Sequence, residues 1–358
     1  MAQGPRAVNF GQALLLDKQR NMRPNLLHIH ERPLTLVKFN HDGDFFLTCA
    51  KDGDVCLIRT ETCERVGTYS PIGDKAGAVF AVDVTHDCQF VVTANADGKM
   101  VFYKFTGEQV GQVQHGGILK YVEFNQKPGD QNRVVTCNDR FKSSSEGIVP
   151  NRIMVWQFQP SKRLLSIEDK LPMKATKVKW GPFDETLVSI FEEGTVIIWD
   201  SNNGEQISLI QAHASAVTSM NFSEDRMLMI TSSKDNTAKL WAMDNYSLVK
   251  TYKTDRPLND AAISPLYTAE ENPKFHILMG GGQDAKDVTT TGSSSGKFEA
   301  LLWHMVYEEE IGSVKGHFGP MNTIAWFRDG RGFVTGGEDG YVRVHEFDND
   351  YFTKRHFE

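Results

Sequence analysis

Three sets of histidine, threonine and aspartate recur in this sequence at one fixed spacing. In each set the histidine precedes the aspartate by 22 residues, and the threonine precedes it by four. The sets are His30, Thr48 and Asp52; His213, Thr231 and Asp235; and His317, Thr335 and Asp339. An imidazole, a hydroxyl and a carboxylate could act together as the base, the nucleophile and the orienting acid of a hydrolase triad.

The repetition of the set favours a structural role, because a catalytic triad does not recur at one spacing in several copies. A large side chain follows six residues after each aspartate, at Ile58, Trp241 and His345. A histidine before one strand could reach a threonine on the next strand, whose hydroxyl could be shared with the aspartate while a tryptophan closes the set. We interpret the sets as structural tetrads, since a buried polar group left unpaired costs about 1–3 kcal/mol.

Four weaker copies keep part of the same frame. They are Thr93, Asp97 and Tyr103; Thr136 and Trp156, with His115 upstream; Ser189, Glu193 and Trp199; and the segment 258–303, which ends in Trp303 and has Gly280 at the hydroxyl position. Short β-rich runs such as LTLVKF and FFLTCA alternate with the turn formers HDGD and KDGD. Seven copies at steps of about 40 to 55 residues are typical of propeller blades. The sequence therefore predicts an all-β, seven-bladed β-propeller over residues 22–358.

The two ends of the chain are expected to complete the last blade together. We predict that Asn25–His30 supplies its outermost strand and that Tyr341–Phe347 supplies its third strand, which closes the ring and removes an exposed edge. Residues 1–21 are expected to be a mobile extension. The polar segment 138–152 is expected to be an excursion from blade three, and the sequence does not give its purpose.

Residues 280–300, GGGQDAKDVTTTGSSSGKFEA, look like a phosphate-binding loop. Such a loop requires G-x-x-x-x-G-K followed by a hydroxyl residue. Only three residues separate Gly292 from Gly296, and Phe298 follows Lys297 in place of the hydroxyl. The flanking runs HILMGGG and FEALLWH are strand-like, so no helix N-terminus would face a phosphate. We therefore expect no nucleotide and no other cofactor, and the sequence does not say whether 283–297 binds a partner.

The composition argues against several functional classes. The net charge of −7 argues against a whole-surface attraction for nucleic acid, although direct RNA contact at the densest basic region stays open; that region contains Lys120, Lys174, Lys177 and Lys179. The five cysteines form no C-x-x-C motif, so we expect free thiols in a reducing compartment and no metal site; they are Cys49, Cys56, Cys63, Cys88 and Cys137. The sequence has no run of about 18 apolar residues, so we predict no membrane span. A cytoplasmic location is expected.

The repeat resembles the WD-repeat β-propeller family, in which such tetrads are structural. The Trp-Asp signature is literal at Trp199-Asp200 and has drifted to Trp241-Ala242 and His345-Glu346. Several longer strings resemble subunit i of eukaryotic translation initiation factor three, in the same blade order over residues 22–358. They are GGGQDAKDVTTT, GKFEA, YEEEIGSVKGHFGPMNT, GGEDGYVRVHEF and SSKDNTAKLW.

That resemblance implies a non-catalytic scaffold. It implies docking of the C-terminal helix of the b subunit, contact with the g subunit, and support of the small ribosomal subunit during scanning and start-codon selection. Asp225 and Leu240 match positions that bind this helix in the family, as a charge partner and an apolar contact. Their alternative roles are a turn acid and a residue that packs its own blade. Another WD-repeat adaptor, such as a ubiquitin-ligase substrate receptor or a signalling scaffold, is the alternative function.

Overall fold

The structure is a computed structural model that describes residues 24–70, 77–127, 132–143, 147–168, 170–282 and 297–353. In these ranges the chain forms seven four-stranded antiparallel sheets and one separate two-stranded hairpin. The predicted all-β, seven-bladed propeller is therefore confirmed. The predicted extension 1–21 lies outside the described ranges, and the division into extension and propeller stays a prediction.

The chain enters through β1 (Asn25–His28), which belongs to blade seven. Blades one to three follow. Blade one contains β2 (Leu34–Phe39), β3 (Phe45–Ala50), β4 (Val55–Arg59) and β5 (Arg65–Tyr69). Blade two contains β6 (Val79–Val84), β7 (Phe90–Asn95), β8 (Lys99–Lys104) and β9 (Gln109–Gln114). Blade three contains β10 (Ile118–Phe124), β11 (Arg133–Asp139), β14 (Arg152–Gln157) and β15 (Lys162–Ile167), and its excursion forms the hairpin β12 (Phe141–Ser143) and β13 (Gly147–Val149).

Blades four to seven repeat the plan. Blade four contains β16 (Ala175–Trp180), β17 (Thr186–Phe191), β18 (Thr195–Asp200) and β19 (Gln206–Gln211). Blade five contains β20 (Val217–Phe222), β21 (Leu228–Ser233), β22 (Thr237–Ala242) and β23 (Leu248–Lys253). Blade six contains β24 (Leu258–Ile263), β25 (His276–Gly281), β26 (Ala300–His304) and β27 (Glu310–Val314). Blade seven adds β28 (Met321–Trp326), β29 (Gly332–Gly337) and β30 (Tyr341–Glu346).

Three short helical turns lie among the described residues. They are the 3-10 turns Pro182–Asp184 and Pro265–Thr268 and the helix α1 (Asn349–Thr353). The helix is held by Tyr351, whose hydroxyl lies 2.6 Å from His276 Nδ1 and whose ring stacks on Phe347. The C-terminal turn therefore packs against the end of blade six.

The N-terminal strand closes the ring, as the sequence predicts. In blade seven the strand order is β1-β30-β29-β28, so β1 is the outermost strand and β30 is the third. Asn25 pairs with Val344 and His28 pairs with Tyr341. The outermost strand of blade seven therefore comes from the opposite end of the chain and covers the edge of β30.

The first strand of each blade lies innermost and contacts the first strands of its neighbours, and contacts between β2 and β28 complete the circle. The hydrophobic core fills the spaces between blades and consists of their buried strand residues. Each blade has two ends. We call the end that carries the tetrads the upper face, and the end that carries the turns after the first and third strands the lower face.

Candidate functional site

The tetrad of blade five is complete. His213 lies before the first strand, and its Nδ1 is 3.1 Å from Asp235 Oδ2 while its Nε2 is 2.8 Å from Thr231 Oγ1. The indole nitrogen of Trp241 donates to Thr231 Oγ1 at 3.0 Å. The predicted closure by tryptophan is confirmed, but one detail was wrong. The threonine does not share its hydroxyl with the aspartate, because the imidazole ring lies between them and bonds one at each nitrogen.

Burial shows why this set is poorly suited to catalysis. Burial lowers the pKa of His213 below its usual value, although the Asp235 carboxylate opposes the shift. The neutral ring therefore donates from Nδ1 to Asp235 and accepts from Thr231 at Nε2. The hydroxyls of Thr48, Thr231 and Thr335 belong to fully buried residues, so a substrate carbonyl has no access to them. The arrangement satisfies polar groups inside a sheet, as the structural interpretation predicts.

Blades one and seven keep the His–Thr–Asp geometry without a tryptophan. His30 lies 3.0 Å from Asp52 and 2.9 Å from Thr48, and Ile58 fills the fourth position as an apolar residue. In blade seven His317 lies 2.8 Å from Thr335 and 3.2 Å from Asp339.

The fourth position of blade seven is His345. Its ring stacks on Phe333 at 4.7 Å, and its Nδ1 has no hydrogen-bond partner among the described residues. Blade seven instead recruits Arg343, whose Nη1 donates to Asp339 Oδ2 at 2.9 Å.

The weaker copies form partial sets. In blade three His115 Nε2 lies 2.7 Å from Thr136 Oγ1, which also accepts from the Trp156 indole at 3.2 Å. In blade four the Trp199 indole donates to Ser189 at 2.8 Å. Blade six has no hydroxyl at Gly280, where a Cβ would lie 2.7 Å from the Cδ1 of Ile324 in blade seven.

Asp225 lies in the turn between β20 and β21, on the lower face. Its carboxylate accepts from Ser223 Oγ at 2.5 Å and from the Met227 amide at 3.0 Å, and the side chain is exposed. Partial burial alone would raise the pKa of Asp225, but these hydrogen bonds lower it overall. Asp225 is therefore an ionised turn acid that is accessible to a basic partner.

Leu240 is buried, whereas the resemblance implies an accessible side chain that contacts a partner helix. It is 2% exposed and packs in the core between blades five and six, with Leu258, Ile263 and Met305. The structure therefore places this side chain within the propeller, in agreement with the alternative role. An apolar contact with a partner has to come from other residues.

Such residues lie on the lower side of blades five and six. The exposed apolar side chains there are Met227, Leu248, Val249, Val306 and Tyr307, each between 43% and 58% exposed. Lys250 and Glu308 form an ion pair of 2.7 Å between the two blades. We call these residues together with Asp225 the blade five–six surface. Sequence patterns missed it because an apolar residue on an edge strand looks the same whether it faces a neighbouring blade or solvent.

Other candidate sites give simple outcomes. Most of the phosphate-like loop lies outside the described ranges, and Lys297 at its end forms an ion pair with Asp255. All five cysteines are free thiols. No cluster of three or more metal-ligating side chains occurs in the described parts of the chain. None of the described helices is both long and apolar enough to span a membrane.

Comparison with known proteins gives one consistent family. A family model described as EIF3I matches residues 22–357. The protein named eukaryotic translation initiation factor 3 subunit I from Schizosaccharomyces pombe is 38% identical over 335 residues, which cover 92% of this chain and 98% of that protein. Proteins of the same name from Neosartorya fischeri and Nematostella vectensis are 39% and 37% identical, and the alignments cover 92% of this chain and 96% and 98% of those proteins.

Proposed function

This chain belongs to the EIF3I family, and from that membership we propose that it is a non-catalytic scaffold subunit of eukaryotic translation initiation factor 3. In this proposal it docks the C-terminal helix of the b subunit, touches the g subunit, and works in the cytoplasm. Through the complex it supports binding of the small ribosomal subunit, scanning and start-codon selection. A rigid propeller suits this role because it presents loops and blade edges in fixed positions.

The observation that carries the proposal is the blade five–six surface. It combines one accessible carboxylate, Asp225, with five exposed apolar side chains at the same end of two adjacent blades. An amphipathic helix that presents apolar residues on one face and a basic residue at its border is the complementary shape and charge. Leu248 and Tyr307 lie on different blades, so a helix that contacts both would bridge the groove between them.

The docking role of Asp225 is tested by charge reversal. We expect Asp225→Lys to weaken binding of a peptide that spans the C-terminal helix of the b subunit about tenfold in calorimetry, because a basic residue would then face a lysine. The fold should stay intact, with a small fall in the thermal unfolding temperature because a lysine cannot accept the hydrogen bonds from Ser223 and the Met227 amide. Asp42 occupies the same position in the corresponding turn of blade one, so Asp42→Lys is the matched control. Equal affinities for the two variants would contradict the assignment.

The complex itself is tested by affinity purification of the tagged full chain from a native lysate. Recovery of b and g subunits together with ribosomal proteins of the small subunit is expected. Recovery of a cullin-type ubiquitin ligase without initiation factors would overturn the proposal and favour a substrate-receptor function.

A further inference from the structure

The wall of the central channel carries more basic than acidic side chains. It consists of the seven innermost strands, β2, β6, β10, β16, β20, β24 and β28. These strands carry four lysines and three carboxylates, namely Lys38, Lys120, Lys177, Lys179, Asp83, Glu123 and Asp260. The wall therefore has one excess positive charge. Charge that is removed from water is costly unless an opposite charge balances it.

The carboxylates accept hydrogen bonds from backbone amides of a neighbouring blade. Asp83 Oδ2 accepts from the Phe124 amide at 2.8 Å, and Glu123 Oε2 accepts from the Trp180 amide at 2.9 Å. Lys38 bridges these two acids, at 3.1 Å from Asp83 and 3.7 Å from Glu123. The charge of Lys38 is therefore compensated within the wall.

Asp260 is occupied in the same way. Its oxygens accept from the Ile324 amide at 2.8 Å and from the Asn221 side chain at 2.9 Å. The three carboxylates thus stabilise the joints between blades, and none of them forms an ion pair with Lys177 or Lys179 in the described part of the protein.

Lys177 and Lys179 form no ion pair among the described residues, although nearby Asp260 and Glu123 partly oppose the fall of their pKa values. Their ammonium groups donate to Ser219 Oγ and to Asn221 Oδ1, each at 2.8 Å, and both acceptors are neutral. Both ammonium groups also lie against the ring of Tyr121, at 5.9 and 5.8 Å from its centre. An ammonium has three N–H donors, so each has capacity for a further acceptor. Lys179 is 8% exposed, which makes water a limited source of compensation.

We propose that the channel binds a tetrahedral oxyanion of the phosphate class between Lys177 and Lys179, beside Tyr121. One such anion supplies several acceptor oxygens to the two ammonium groups that lie against the Tyr121 ring and offsets the excess charge of the wall. A funnel of about 750 Å³ opens on the lower face and is lined by Lys179, Tyr121 and Asn221, among others. Asp83, Glu123 and Asp260 also line this funnel and Lys177 does not, so the funnel gives a free anion a route to Lys179.

The surrounding groups define how the site responds to pH. Burial lowers the pKa of Lys179 to about 7, with Glu123 opposing the shift, and lowers the pKa of Lys177 as well. Lys38 keeps a raised pKa because Asp83 and Glu123 outweigh its burial. An anion stabilises the charged form of Lys179, so binding takes up protons near neutral pH, and affinity falls as pH rises.

Besides the wall carboxylates, of which Glu123 and Asp260 favour the charged form of the lysines, the neighbouring phenol and thiol groups are neutral. Burial raises the pKa of Tyr121 well above its usual value and raises the pKa of the Cys49 and Cys137 thiols to about 12. These groups are neutral at physiological pH. Lys120 lies 4.3 Å above the ring of Phe80 and adds to the positive potential of the channel.

The experiment uses sulfate as the probe, because its charge stays constant over the pH range of interest. Sulfate is titrated into the full-length protein in a calorimeter at constant ionic strength, and chloride serves as the reference anion. We expect one sulfate per chain. Lys177→Met and Lys179→Met should each weaken binding about tenfold or more, while the exposed Lys253→Met should not. Wild-type affinity should be several-fold weaker near pH 8.5 than near pH 6.5, and Lys179→Met should reduce that dependence.

Two results would overturn the proposal. One is sulfate binding by wild type that is no tighter than chloride binding. The other is equal sulfate affinity of wild type and both lysine variants. Lys177→Gln provides a second variant that keeps a polar side chain if a methionine variant does not fold. A parallel titration with inorganic phosphate and adenosine monophosphate shows whether a free anion or a phosphate ester enters the funnel.

Discussion

The tetrads of blade five and blade seven share the same spacing in sequence but differ in chemistry. In blade five the set contains no cationic side chain, and Trp241 completes it with a hydrogen bond to Thr231. In blade seven a guanidinium, Arg343, joins the set through Asp339, and both side chains are less than a tenth exposed. One network is thus a chain of ordinary hydrogen bonds, and the other includes a buried ion pair. The same backbone frame accepts both.

The two networks also place different neighbours around Nδ1 of the imidazole. In blade five Nδ1 of His213 faces Asp235 and Thr237, so it carries the proton. In blade seven Arg343 Nη1 contacts Nδ1 of His317, and a guanidinium has only donors. Both carboxylate oxygens of Asp339 lie 3.2 Å from the same nitrogen, so Nδ1 of His317 faces a donor and an acceptor together. The comparison shows that the frame fixes ring positions, while residues outside the His–Thr–Asp set add further partners at Nδ1.

The largest expected difference between the two blades concerns the residue four positions after each aspartate. Arg343→Met leaves Asp339 without its buried charge partner and should lower the free energy of unfolding by about 3–5 kcal/mol. Lys239 occupies the corresponding position in blade five, and its ammonium donates to the Ala212 carbonyl at 2.5 Å. Lys239→Met should cost about 1 kcal/mol. Urea unfolding of both variants measures the difference, and equal losses would show that the ion pair gives blade seven no special dependence.

A smaller loss is expected from Asp235→Ala in blade five. The carboxylate accepts from the Ala214 amide at 3.0 Å and from the Thr237 amide at 3.0 Å, in addition to His213. Removing it leaves these donors without their acceptor and should lower the free energy of unfolding by about 1–3 kcal/mol. Urea unfolding monitored by tryptophan fluorescence checks this value. An unchanged midpoint and slope would contradict the structural role of the tetrad.

The smallest expected effects come from the fourth tetrad position. Trp241→Phe removes the indole donor to Thr231 and should cost about 1 kcal/mol at neutral pH. His345→Phe should leave stability unchanged or slightly higher, because it replaces a buried nitrogen that has no partner in the described chain with an apolar ring edge. Thermal unfolding of the two variants in the same buffer measures the contrast.

The pH dependence of stability gives a further test of the His345→Phe variant. Burial lowers the pKa of His345 to about 3, below the value in the unfolded chain, so the unfolded state binds more protons at intermediate pH. The stability associated with this residue is therefore present above about pH 6.5 and is lost as pH falls toward 3. Between about pH 7 and 6 the wild type should lose about 0.7 kcal/mol through His345, and His345→Phe should lose correspondingly less. An identical pH slope for both proteins would contradict a buried neutral His345.

The sequence alone determined the number of blades, the strand partners of both chain ends and the three main tetrads. These features depend on residues within one repeat, where the backbone geometry links a fixed spacing to a fixed position. His213, Thr231 and Asp235 lie within 22 residues of one another, so one blade suffices to bring them together. The pairing of β1 with β30 was also predictable, because an incomplete last repeat leaves one strand to be supplied.

Only the tertiary structure decided which side chains face a partner and which face another blade. Leu240 is a strand residue by pattern, and its burial depends on Leu258 and Met305 of the neighbouring blade. In the sequence, Lys177 and Lys179 belong to the densest basic region, which gives no sign of where their side chains point. They come to lie against Tyr121, with Lys179 buried and Lys177 half-buried, because ring closure brings β10, β16 and β20 together around one channel. Contacts between blades depend on the packing of whole sheets, which no single repeat specifies.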